Sequence, residues 1–214
     1  MYQFFETIRY KNGVLENLVF HQQRVNRTLL NFKQFDLTKG PNAKLSLSTI
    51  QLPTGLLTDQ VYKCRVKYNL ASDFEVSFEP YKMRTIKNCL LVEIGDNVYD
   101  YKYTNRGWLN EALLIAATDE IIFSSAGIIK DASYANLAFF NGSGWFTPKN
   151  PLLPGTRRAA LIEQGIINET EIRITDLHQY KSIKLINAMM LWEESATLCF
   201  NYDSASNKLT FQYQ

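Results

Sequence analysis

The sequence predicts a strand-rich α+β fold in two parts, and three observations predict it. Short β-branched and aromatic runs alternate in polarity and end at Gly, Asn or Pro. Only a few stretches switch to a helical period. A turn-rich break near residues 82–100 divides the chain into a small α+β domain (1–95) and a larger strand-rich domain (96–214).

Residues 2–10 read as a strand, and Asn12-Gly13 is a strong hairpin signal with a short return strand after it. Over 18–32 the period becomes helical, with Leu18, Val25, Leu29 and Phe32 on one face. Residues 37–54 are polar and turn-rich. The runs 61–68 and 74–78 alternate like paired strands, and Pro80 stops the second. A strand at 89–94 leads into the loop Gly95-Asp96-Asn97. The stretch 106–117 is helical in period. Short strands are expected at 120–124, 127–130 and 137–141, then a loop at 151–155 and a helix at 156–164. Strands at 171–174, 183–186, 197–202 and 208–213 complete the reading.

Composition bounds the function. The chain has 214 residues, 46% of them hydrophobic, which is enough for a substantial core. A net charge of +2, with Arg157-Arg158 as the only adjacent arginines, argues against a nucleic-acid partner. Cys64, Cys89 and Cys199 are odd in number and far apart, so a reducing cytoplasm is expected rather than a disulfide framework. With only His21 and His178, no His-rich metal site is expected. No run is apolar enough to span a bilayer and no leader pattern opens the chain, so the expectation is a soluble protein without a membrane partner.

Some residues could carry chemistry. Lys102 lies between Tyr101 and Tyr103, and a lysine in apolar surroundings is suited to Schiff-base work. The run Pro154-Gly155-Thr156-Arg157-Arg158 precedes a helix, where open backbone N–H groups attract phosphate. His21 shares the apolar face of the first helix and reads as a packed core histidine. Arg24 lies off that stripe and could reach a phosphate from the rim. Asp131 ends a strand, either as a turn cap or as a partner for a protonated ring nitrogen.

The order of these pieces resembles the class IV aminotransferases, the fold-type IV pyridoxal phosphate (PLP) enzymes. The resemblance is carried by Phe5-Glu6-Thr7-Ile8-Arg9, by His21 with Arg24, by Lys102 with Asn105-Arg106, and by Asp119-Glu120 with Gly127, Asp131 and Asn136. Thr147-Pro148, Gly155-Thr156-Arg157-Arg158 and Asn187-Ala188 complete it. It implies a two-domain fold of the D-amino acid aminotransferase type, with a shortened N-terminus. It also implies PLP on Lys102, a homodimer and a small-molecule substrate. Arg24, Thr156, Arg157, Asn187 and Ala188 would bind the cofactor phosphate, and Asp131 the pyridine nitrogen. The family usually has glutamate where Asp131 stands, one methylene longer.

Thr7 points to a reaction. The family's aminodeoxychorismate lyases carry threonine at this position, where branched-chain and D-amino acid aminotransferases typically carry glycine and valine. The resemblance therefore implies a lyase that makes 4-aminobenzoate for folate, with Lys102 and Thr7 catalytic. The alternatives are an aminotransferase acting on a branched-chain or D-amino acid, and a PLP-binding protein with little catalysis. Lys63 and Arg65, which match no family motif cleanly, are candidates for binding substrate carboxylates, and Arg9 and Arg106 are further ones.

Overall fold

The computed structural model describes residues 3–33, 45–95 and 99–213. Part of the expected polar stretch (37–44) and the loop residues Asp96-Asn97 lie outside the described residues. The chain forms two units: Met1–Met83 with Tyr101–Asn105, and Arg84–Asp100 with Arg106–Gln214.

The first unit holds a four-stranded sheet of order β2-β1-β3-β4. Its strands are β1 (Phe4–Lys11), β2 (Val14–Leu15), β3 (Tyr62–Tyr68) and β4 (Phe74–Pro80), with helix α1 (Leu18–Lys33) between β2 and β3. Asn12 (φ 51°) and Gly13 (φ 80°) are both left-handed, as a two-residue hairpin needs to match the strand twist. Alternation along β1 sends Phe4, Ile8 and Tyr10 to one face, against Val25 and Leu29 of α1 and Cys64 and Val66 of β3. Each such fully buried side chain stabilises by roughly 1.5–3 kcal/mol. Phe5, Thr7 and Arg9 turn to the other face, opposite Lys67, Arg65 and Lys63 of β3.

The segment 101–105 joins this sheet beside the start of β1. Phe4 and Tyr103 form an antiparallel bridge. The Phe5 N–H donates to Lys102 O at 3.0 Å, and the Thr104 N–H donates to Gln3 O at 2.8 Å. Tyr101 and Tyr103 then pack with Phe4 and Phe32, at centroid distances of 4.8 Å for Phe32–Tyr101 and 5.4 Å for Phe4–Tyr103. Period-two alternation therefore puts Lys102 on the face of Phe5.

The second unit holds a nine-stranded sheet of order β10-β9-β8-β11-β12-β13-β5-β6-β7. Its strands are β5 (Asn88–Glu93), β6 (Glu120–Ser125), β7 (Ile128–Ala132), β8 (Asn136–Phe140), β9 (Trp145–Pro148), β10 (Asn168–Thr170), β11 (Ser182–Ile186), β12 (Leu198–Asp203) and β13 (Lys208–Tyr213). Helices α2 (Gly107–Ala116) and α3 (Thr156–Glu163) follow β5 and β9. Leu137, Phe139, Ile129, Ile183 and Leu209 anchor the core. Among the described residues, no helix is long and apolar enough to cross a membrane.

Several local expectations are corrected. β5, expected in the first domain, pairs with β13 and β6 in the second sheet. The strand expected at 171–174 is not formed. Arg173 makes one bridge to Ile128, and a 3-10 helix runs over Ile174–Gln179, with Asp176 accepting the Arg173 N–H at 3.1 Å. β9 sets Trp145 and Phe146 side by side rather than alternating and β10 is polar throughout, so the sequence reading passes over both. Asp131 lies inside β7 rather than just past its end.

Candidate active site

In the first unit, Lys102 Nζ stands 4.7 Å from the centroid of the Phe5 ring. The Arg65 guanidinium carbon stands 5.2 Å from the same centroid. Thr7 follows Phe5 on that stripe and pairs directly with Arg65 across the sheet. No hydrogen bond among the described residues uses the Thr7 hydroxyl, and the residue is half-buried rather than closed off. One face thus gathers the lysine, the threonine and a cation around an aromatic floor.

The opposite face holds a buried ionic cluster, and this corrects the expectation that Arg24 works from a rim. Glu6 and His21 are fully buried, and Arg24 is 7% exposed. Glu6 Oε1 accepts from Arg24 Nε at 2.8 Å, and Oε2 accepts from Arg24 Nη2 at 2.5 Å and from His21 Nδ1 at 2.6 Å. Burial alone would raise the Glu6 carboxyl, but the Arg24 charge and the hydrogen bonds from His21 and Arg24 bring it down to about 2. Burial lowers the His21 pKa, against the pull of Glu6. Sequence reasoning missed this role for Glu6. The available signal was an acid on the same period-two stripe as Phe4 and Ile8, which demands a buried cation.

In the second unit, Asp131 is buried on β7. Its Oδ1 accepts from Asn136 Nδ2 at 2.7 Å and its Oδ2 from the Leu153 N–H at 2.9 Å. Both donors are neutral. Burial raises the carboxyl to about 6, only partly offset by those hydrogen bonds and by the more distant Arg158 charge. Asn136 Nδ2 also donates to Leu153 O at 2.9 Å, tying the strand to the loop before α3. Gly155 caps α3 against that amide: a Cβ there would lie 1.9 Å from Asn136 Oδ1. Thr156, 3% exposed, and Arg157 open the helix. Arg158 instead clamps the sheet, donating to Thr147 Oγ1, Pro148 O and Glu169 Oε1. Asn187 and Ala188 form a turn after β11, in which Asn187 Oδ1 accepts the Met189 N–H at 2.9 Å.

A second enclosed lysine escaped the sequence reading. Lys184 of β11 is 8% exposed and donates to Trp192 O at 3.0 Å and Ser195 O at 2.6 Å. Burial lowers its pKa, and it lies over the rings of Trp145 and Trp192. Its amine is committed to backbone carbonyls, as a structural lysine's would be.

Residues 3–193 match the family described as amino-transferase class IV. An uncharacterized protein of Haemophilus influenzae is 36% identical over 190 residues, which is 88% of this chain and 98% of that protein. A crystal structure of a "putative 4-amino-4-deoxychorismate lyase" from Haemophilus somnus 129pt superposes with a TM-score of 0.78 at 34% identity, covering 88% of this chain and 97% of that one. A hypothetical aminotransferase from Mycobacterium tuberculosis, in its PLP-bound form, superposes with a TM-score of 0.68 at 18% identity, over 91% of this chain and 79% of that one. The last likeness is one of fold.

Proposed function

This chain belongs to the class IV aminotransferase family, and from that premise we propose that it is a PLP-dependent lyase. It would convert 4-amino-4-deoxychorismate to 4-aminobenzoate and pyruvate, for folate synthesis. The same premise carries a cytoplasmic homodimer, which sedimentation tests.

The residues fit the cofactor. Asp131 is a buried carboxylate hydrogen-bonded only by neutral donors, so a protonated ring nitrogen would supply the cation it lacks. The Gly155–Thr156 turn offers a helix start to a phosphate. Lys102 would hold the cofactor through Nζ. A phosphate role for Arg24 would be shared with Glu6, which already engages its Nε and Nη2. Arg157, Asn187 and Ala188 complete the proposed phosphate shell.

The cofactor, when bound, supplies an electron sink for the bonding electrons released at the amine-bearing carbon. Lys102 Nζ takes the proton from that carbon and then delivers a proton to the departing enolpyruvyl fragment. Phe5 gives the amine an apolar wall that limits its hydration. The Thr7 hydroxyl, on the same face, donates to the ether oxygen as it leaves. Aromatisation of the ring drives the elimination, so no keto acid is consumed.

The observation that carries the lyase reading is Thr7, on the Lys102 face with its hydroxyl uncommitted among the described residues. The resemblance to the Haemophilus somnus structure supports it. The test is release of 4-aminobenzoate from 4-amino-4-deoxychorismate without any keto acid. Thr7→Val should slow release while leaving cofactor absorbance intact. No release, with an amino group passed from an amino acid to an added keto acid instead, would make the chain an aminotransferase.

A further inference from the structure

We propose that Arg65 binds the substrate carboxylate, in a row formed with the hydroxyls of Thr7 and Ser77. This rests on the amine-substrate reading above and adds the residue that selects for an anionic group.

The argument begins with charge along β3 and β4. Lys63, Arg65 and Lys67 point to one face, and their partners on β4 are Glu79, Ser77 and Glu75. Lys63 meets Glu79 at 3.6 Å and Lys67 meets Glu75 at 3.3 Å. The central pair breaks this pattern, because Arg65 faces a serine. No carboxylate among the described residues pairs with Arg65, and its Nε is buried without a hydrogen-bond partner. A buried guanidinium N–H left without an acceptor is costly, and an arriving carboxylate relieves that cost with two parallel hydrogen bonds.

Position gives the second line. Thr7 and Ser77 are the direct cross-strand neighbours of Arg65, one on each side. Two hydroxyls flanking a guanidinium make a row of donors suited to an oxyanion. Lys102 Nζ and the Arg65 guanidinium carbon stand 4.7 and 5.2 Å from one Phe5 centroid. Their separation cannot exceed those two distances added, about 10 Å. Within that bound one small ring can meet both, its amine toward Lys102 and its carboxylate toward Arg65. Phe5 would lie beneath the ring. Lys63 and Lys67 cannot serve equally, since each is neutralised by its own glutamate.

Calorimetric titration of the purified protein tests this with 4-aminobenzoate, 4-aminobenzamide and 2-ketoisocaproate as probes. Arg65→Gln should weaken 4-aminobenzoate binding about 10- to 100-fold, the loss expected for a charged hydrogen-bonded pair. Arg65→Lys should recover part of it, and Lys67→Gln should change little. The uncharged 4-aminobenzamide should bind weakly and be insensitive to Arg65→Gln. Thermal melts of each variant check that it is folded. If Arg65→Gln and Arg65→Lys are folded and bind 4-aminobenzoate like the parent, the proposal is overturned. It is equally overturned if the amide loses as much as the acid, or if the parent binds no carboxylate probe. If the parent binds the keto acid through Arg65 and ignores 4-aminobenzoate, Arg65 stands as the carboxylate residue and the lyase reading falls.

Discussion

Replacing Glu6 with glutamine removes the one negative charge between Arg24 and His21 and leaves their shape nearly unchanged. The Glu6 carboxyl is held at about 2 against an ordinary 4.5. Each unit of such a shift is worth about 1.4 kcal/mol, so the ionised form contributes about 3 kcal/mol to the folded state. Stripping one partner from a buried ion pair costs about 3–5 kcal/mol, which agrees in scale. With a urea slope of about 2 kcal/mol per molar, Glu6→Gln should lower the unfolding midpoint by about 1–2 M at neutral pH. A depressed carboxyl stabilises fully above its unfolded value and loses that contribution as pH falls through its folded value. The parent should therefore weaken between pH 4.5 and about 2, and Glu6→Gln should lack that loss. His21 adds an earlier one: its lowered pKa makes protonation favour the unfolded chain as pH drops below 6.5. Urea melts across this pH range measure both. A variant that matches the parent's midpoint at pH 7 would refute the account of the cluster.

Other outcomes follow from the same geometry. Borohydride treatment of the PLP-loaded protein, followed by peptide mass spectrometry, should find the cofactor on Lys102, and Lys102→Ala should abolish the absorbance band near the visible edge; label on Lys184 would contradict the assignment. Gly155 has φ −73°, an ordinary value, so Gly155→Ala tests sterics alone. Its methyl must displace the Asn136 amide, costing about 1–3 kcal/mol and weakening PLP affinity, read by thermal melt and cofactor titration. Asp131 is raised from 3.8 to about 6, so the cofactor-free protein should lose about 3 kcal/mol as pH rises through that interval. Asp131→Asn should flatten this fall in urea melts, and an unchanged profile would count against a buried carboxylate held only by neutral hydrogen-bond donors.

What the sequence reveals depends on how local the cause is. The Asn12-Gly13 hairpin is legible because turn chemistry resides in the two residues that make it. Helices α1 and α3 are legible from their period. The segment 171–174 reads as strand because Ile172 and Ile174 alternate, but a 3-10 helix starts on its last residue, where the Asp176 carboxylate accepts the Arg173 N–H. β10 is invisible because Asn168-Glu169-Thr170 gains its strand state only by lying parallel to β9. The same distinction runs through the site. Lys102 and Thr7 are found by order along the chain. That they share a face follows from a bridge between residues far apart in sequence, Phe4 and Tyr103. Arg24 reads as a rim residue because its partner, Glu6, lies 18 residues earlier on another element.

The same bridge has a consequence for how the chain is made. β2 covers β1 only at Tyr10 and Lys11, so the rest of that edge near Gln3 and Phe5 is closed by Lys102 and Thr104. A nascent chain that has emerged only as far as Met83 carries this edge bare, with backbone donors and acceptors that invite pairing with another chain. The ribosome must complete β5 and the loop after it before the edge can close. Sealing the first sheet and delivering its lysine are then a single step, and a half-made protein would be both sticky and without the lysine.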